Sequence, residues 1–212
     1  RVEYTSIDWD EKFNPTHCFD ICDWKKYIET LPESERKKFQ PGYFDIIWVS
    51  PDCSPRTAAN TVGTRDLVLS EKQIEAAASL VDLLKPRVTL MENPESSPYQ
   101  LRDTSFIKSI EKKLGITPYS TTYCCYGYGY KKMTTIWSSV PLDLYHCHST
   151  PCPAFKKFGH HLFTAQSGTS KSGTPGTPKL QVYQVPELLL TYILLQSLLF
   201  LLGFDAGVAP RL

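Results

Sequence analysis

The chain has 212 residues, enough for one α/β domain with a sizeable core. Lys and Arg total 23 against 22 Asp and Glu, which excludes an overall basic excess as a sign of nucleic-acid binding and leaves only a locally basic cleft. Seven scattered cysteines exclude a dense disulfide scaffold and fit a reducing, intracellular compartment. No signal peptide opens the chain, and Arg1 rather than Met begins it, so a fragment is expected.

Residues 2 to 8 carry β-formers in alternation and read as a strand ending at Asp8. A carboxylate there is placed to accept from the vicinal hydroxyls of a ribose, and Trp9 offers a flat face for a purine. The alternative is a turn at Asp8 with Trp9 in the core. After the Asn14-Pro15 turn, residues 16 to 21 form a short strand that leads to a second acidic position, Asp20. Residues 25 to 39 are charged at helical spacing and broken by Pro32, a solvated face.

The chain is organised around residues 42 to 53. Phe44, Ile46, Ile47, Trp48 and Val49 form an apolar run suited to a strand covered on both faces, stopped by Ser50 and Pro51. Cys53 then lies beyond the carboxyl end of a strand, where α/β sheets gather ligands, although a lone thiol is also an ordinary small core residue. The polar loop 54 to 64 is either a connector or a lid. A helix follows over 70 to 84, with Ser70 as its cap, then a strand over 87 to 91 that ends in Glu92-Asn93-Pro94. Glu92 either faces the same crevice or caps a turn.

A helix from Thr104 to Leu114 is closed by Gly115, and a β-rich run over 121 to 125 leads through tyrosines and Lys131-Lys132 into a strand over 134 to 137. These tyrosines and lysines either stack bases and hold phosphates or are hairpin residues. Residues 138 to 180 turn irregular, with 167 to 178 as linker. Cys147, Cys152, His160 and His161, with His146 and His148 nearby, have zinc-ligand chemistry, but their spacing matches no standard finger and no metal is assigned. The apolar run from Leu188 to Leu202 falls short of a bilayer span and reads as a buried helix started by Pro186-Glu187. The alternation of strands and helices argues for an α/β sheet with crossover helices.

Four strand-end elements in this order resemble the DNA cytosine-5 methyltransferases, especially the compact viral and phage forms. Asp8-Trp9 and Asp20-Ile21 resemble the family's cofactor-pocket elements. Pro51-Asp52-Cys53 resembles its Pro-Pro-Cys, Glu92-Asn93-Pro94 its Glu-Asn element, and residues 126 to 137 its Tyr-Gly-x-x-x-Lys-Lys segment. The resemblance implies a Rossmann-like methyltransferase fold using S-adenosylmethionine (AdoMet), held by Asp8, Trp9, Asp20, Ile21 and Pro51. It implies Cys53 as nucleophile and Glu92 as general acid, with Arg56, Arg65, Lys131 and Lys132 as DNA contacts. DNA is the implied partner of a monomeric protein in a nucleus, cytoplasm or host cell, without a membrane span. The implied organisation is a catalytic core over 1 to 137, a short target-recognition region over 138 to 180, and a carboxyl-terminal helix and tail over 181 to 212.

Three departures qualify this expectation. Asp52 replaces the family's second proline and places a negative charge beside the thiol. The family's arginine-containing strand is represented by Lys131-Lys132 and Thr134-Thr135, and lysine lacks the bidentate geometry of arginine. The family's opening strand and Phe-x-Gly-x-Gly turn do not precede Asp8, which implies truncation at the amino end. The alternative is therefore a catalytically silent nucleic-acid-binding relic, and a third class is a zinc-stabilised binding module.

Overall fold

The computed structural model describes residues 2–56, 64–95, 99–147, 152–165, 173–178, 182 and 184–204. Its strands are β1 (Ile7–Asp8), β2 (His17–Cys18), β3 (Ile46–Val49), β4 (Val88–Pro94), β5 (Thr117–Thr122) and β6 (Met133–Ser138). The helices are α1 (Trp24–Thr30), α2 (Glu33–Arg36), α3 (Leu67–Leu84), α4 (Ser105–Leu114), α5 (Pro153–Phe158) and α6 (Glu187–Leu201). Strands β3 to β6 form one mixed sheet in the order β3-β4-β6-β5, with β3 and β4 parallel and the other pairings antiparallel. The short β1 and β2 pair in parallel as a separate sheet.

Alternation along β4 divides the core. Val88 and Leu90 face one side, where Tyr123, Tyr126, Ile136 and the α6 residues Leu189, Tyr192 and Ile193 bury them. Met91 faces the other, packed with Ile74 and Ala78 of α3, Ile107 and Ile110 of α4, and Trp137 of β6. A third cluster, Trp24, Phe39, Leu80 and Leu84, holds Ile7, Phe19 and Ile47 and ties the small sheet to α3. On α6 the buried Gln196 is satisfied twice, accepting from Asp143 N at 2.7 Å and donating to Asp143 O at 3.2 Å. Among the described residues no helix is long and apolar enough to cross a membrane.

The helix α4 follows its expected limits, because Thr104 accepts from Ile107 N and Gly115 takes the left-handed conformation that ends the helix. Other boundaries moved. Helix α3 starts three residues early, capped by Asp66, and Ser70 is buried as a partner of Arg56 instead. The first strand shrinks to two residues, since residues 2 to 6 have no place in a strand ladder. Only the short central part of 42 to 53 is strand, and β3 is half-buried rather than covered on both faces, because it pairs along one edge only, with β4. The run 121 to 125 leaves the sheet after Thr122 and winds into a short 3-10 turn, Tyr123–Tyr126.

Candidate active site

The parallel register sets Val49, the last residue of β3, beside Met91, three residues before the end of β4. Beyond β3, Asp52 Oδ1 accepts from Ser54 N at 2.8 Å and Cys53 O accepts from Arg56 N at 2.9 Å, which folds Cys53 into a tight turn. One residue beyond Met91 is Glu92, buried on the side of β4 that Val88 and Leu90 share. Asn93 Nδ2 donates to Pro51 O at 3.4 Å and ties the cysteine turn to β4, while Asn93 Oδ1 is buried with no hydrogen-bond partner among the described residues. Pro94 pairs with Thr134 beyond the end of β3, so its missing N–H costs no bond on that side.

Two residues from the far side of the sheet close the site. Tyr123 OH donates to Glu92 Oε1 at 2.9 Å. Lys132 Nζ lies 3.9 Å from the same oxygen and 4.7 Å over the Tyr123 ring, and donates to Val182 O at 3.1 Å. Burial pushes the Cys53 thiol up to about 11, opposed by the Lys132 ammonium and reinforced by Glu92 and then Asp52. Asp52, the suspected cause from sequence, thus ranks below burial. Burial also raises Glu92, against Lys132 and the Tyr123 hydrogen bond, so the carboxyl is biased toward its protonated, proton-donating form.

Asp8 and Asp20 sit at the carboxyl ends of the adjacent parallel strands β1 and β2. Each spends one oxygen on a local turn: Asp8 Oδ1 accepts from Asp10 N and Asp20 Oδ1 from Cys22 N, both at 2.9 Å. Trp9 is 72% exposed, which removes the reading of it as a core residue. Ile21 is half-buried against the Trp24 cluster.

The expected DNA contacts divide. Arg56 is 2% exposed, with Nη2 2.9 Å from Glu71 Oε1 and Nε bonded to Ser70. The Lys132 ammonium is likewise turned inward, to Glu92 and Val182. Arg65 donates to Pro55 O at 2.9 Å and stacks over Tyr99, and Lys131 lies near Cys125 and His161. The proposed lid falls largely on residues 57 to 63, outside the described residues.

Sequence reasoning missed Tyr123 and the inward role of Lys132; a Tyr two residues inside a β-rich run gives no sign that the chain leaves the sheet there. It also missed Cys124. That thiol meets Cys147, Cys152 and His161, their ligand atoms all within 4.8 Å of one another. His160 stands apart and stacks on Phe158.

No protein-family model matches the chain. It is 24% identical over 200 residues to the "Probable DNA (cytosine-5)-methyltransferase" of Frog virus 3 (isolate Goorha), covering 82% of this chain and 86% of the viral protein. Among solved structures, it is similar to the Entamoeba histolytica methyltransferase EhMeth, with 13% identity, TM-score 0.39, and 67% of this chain and 48% of that one covered. A Spodoptera frugiperda DNMT2 mutant gives 17% identity, TM-score 0.37, and coverage of 66% and 44%. The chain therefore spans less than half the length of these two structures. On the viral match, the chain bears a distant resemblance to the DNA cytosine-5 methyltransferases.

Proposed function

We propose that the chain is the catalytic part of a DNA cytosine-5 methyltransferase in which Cys53 is the nucleophile and Glu92 the general acid. The observation that carries this reading is a turn-held thiol just beyond β3 within electrostatic reach of a buried, raised carboxyl group on the adjacent parallel strand β4. Carbon 5 of cytosine is a poor nucleophile. Addition of the Cys53 thiolate at carbon 6, with a proton from Glu92 held at ring nitrogen 3, turns the ring into an enamine that is nucleophilic at carbon 5. AdoMet, when bound, supplies the electrophilic methyl group. Loss of the carbon 5 proton to water then expels the Cys53 thiolate and returns the nitrogen 3 proton to Glu92. Tyr123 orients Glu92, and Asn93 Oδ1 is an acceptor held for a ligand donor. Because the reacting carbon is stacked inside duplex DNA, the target nucleotide must be flipped out.

The residues fit the adenosine half of AdoMet: each strand-end carboxylate has a second oxygen for ribose hydroxyls or the exocyclic amine, and Trp9 presents an open face. The fold supports the same reading. In a doubly wound sheet the first strand lies between the second and fourth. Counting β1 and β2 as second and third and β3 and β4 as fourth and fifth agrees with the division of the described strands into two sheets between β1 and β3. We assign residues 1 to 137 to this core, 138 to 180 to target recognition, and 181 to 212 to the closing helix and tail. Arg65 and Lys131 are the proposed phosphate contacts.

A second reading, a silent DNA-binding relative, is favoured by the thiol raised to about 11. Release of tritium from carbon 5 of cytosine in DNA separates the two, since it needs thiol addition but no methyl donor. Release that is lost in Cys53→Ser supports the enzyme. Release that survives the substitution sinks the Cys53 assignment, and DNA binding without release establishes the silent reading. Methyl transfer from labelled AdoMet, measured alongside Trp9→Ala, then reports on the cofactor pocket separately.

A further inference from the structure

The irregular region beside the sheet is drawn together at one point. Cys124 lies in the 3-10 turn that leaves β5. Cys147 is held at that turn by its N–H, which donates to Thr122 Oγ1 at 2.9 Å. Cys152 caps α5, its Sγ accepting from Phe155 N at 3.4 Å, and Gly159 ends the helix in the left-handed conformation so that the chain returns at His161. The return is fixed by Gly129, whose carbonyl accepts from Leu162 N and Phe163 N; a Cβ at 129 would stand 2.8 Å from Phe163 Cδ2. Three elements distant in sequence therefore deliver their ligand atoms to one place, with Cys124 and Cys152 buried and Cys147 and His161 half-buried.

We propose that Cys124, Cys147, Cys152 and His161 form a structural zinc site. Four ligands of three sulfurs and one imidazole are a closed tetrahedral set, the kind that zinc takes in structural rather than catalytic sites. The spacing agrees: zinc–sulfur and zinc–nitrogen bonds of about 2.3 and 2.05 Å at tetrahedral angles put sulfur and nitrogen about 3.5 Å apart. His161 Nε2 lies 3.6 Å from Cys147 Sγ and 3.4 Å from Cys152 Sγ. The Cys147 to Cys152 interval, four residues between ligands, is within the usual range for a zinc hairpin. Binding releases the three thiol protons and leaves the centre with one net negative charge, which Lys131 near His161 offsets. The site also reaches the chemistry described above, because Cys124 is joined by one peptide bond to Tyr123, the partner of Glu92. A metal here would fix the turn that holds Tyr123 in place, independently of whether Cys53 reacts.

The test is metal content and cobalt replacement on the full chain, purified reduced and dialysed exhaustively. The proposal expects one zinc per chain by plasma mass spectrometry. It expects cobalt to replace it with tetrahedral visible bands and a thiolate charge-transfer band of three-sulfur intensity. Cys147→Ser, at a half-buried ligand, should reduce that band to two-sulfur intensity, and Cys125→Ser, outside the ligand set, should leave it unchanged. A folded chain with no zinc and no charge-transfer band overturns the proposal, as does a band untouched by Cys147→Ser. Should Cys147→Ser fail to fold, the three-sulfur intensity of the unsubstituted chain decides alone.

Discussion

Beyond β3 one thiol lies under two acidic side chains and a single ammonium, whereas around Cys152 two further thiols and an imidazole converge in a cluster that contains no carboxylate. Both neighbourhoods are largely shielded from water, and both hang from the end of a sheet strand. The first keeps its thiol protonated, because burial outweighs the Lys132 ammonium. In the second, several thiols meet at distances that suit a shared cation and that give no room to an organic substrate. Cysteine is therefore read by its neighbours: acidic company marks a thiol held in reserve, and thiol company marks a tie between segments.

The strongest way to break this contrast is to remove a metal. Structural zinc contributes about 10–16 kcal/mol of apparent binding energy in small zinc domains, so a chelator should abolish cooperative melting of the region around α5. Alkylation mapped by mass spectrometry should then find Cys147 and Cys152 newly reactive and Cys53 no faster than before. Equal acceleration of Cys53 would make the two neighbourhoods one unit.

Glu92→Gln sharpens the other side of the comparison. Loss of a general acid should slow carbon 5 tritium release by about 10²–10⁴-fold. Stability should move too. Glu92 is raised in the fold, so the stability it contributes is complete below its ordinary value of 4.5 and is lost as pH rises through the raised one. Thermal melts between pH 4 and pH 8 should show this slope in the native chain and a shallower one in Glu92→Gln; unchanged slopes would place the carboxyl in water.

A smaller effect tests the charges at the thiol. With Cys53 near 11, its alkylation should rise roughly tenfold for each pH unit from 7 to 10, since the thiolate fraction does. Lys132→Met should lower the rate at every pH in that range, because it removes the group that favours the thiolate. A faster variant would mean that the ammonium screens reagent rather than stabilising charge. The smallest expected change is Tyr123→Phe, which removes one hydrogen bond to Glu92 and should cost about 1 kcal/mol in chemical denaturation.

Much of this was legible where signals are local. Thr104 and Gly115 announce α4, and strand-end residues such as Cys53 and Glu92 follow from an apolar run meeting a proline. The misses are contacts between segments far apart. Arg56 is polar and lies in a loop, yet its direction is decided by Glu71 on α3. Tyr123 meets Glu92 only because β5 ends at Thr122 and the chain turns there, which its β-formers do not disclose. Cys124 joins residues 23, 28 and 37 positions later in the chain, and no spacing rule spans such intervals.

The divided sheet has a consequence for how the molecule opens. Strands β1 and β2 are held to each other by a two-residue register, while the wholly buried β4 pairs with β3 over Val88 to Met91 and with β6 over Leu90 to Pro94. Amide hydrogens of His17 and Phe19, which bond to Ser6 and Asp8, should exchange with solvent through small local openings, and those of Leu90 and Ile136 only through global unfolding. The β1–β2 edge that carries Asp8 and Asp20 would then let go first, leaving Glu92 in register on the slow-exchanging part of the fold.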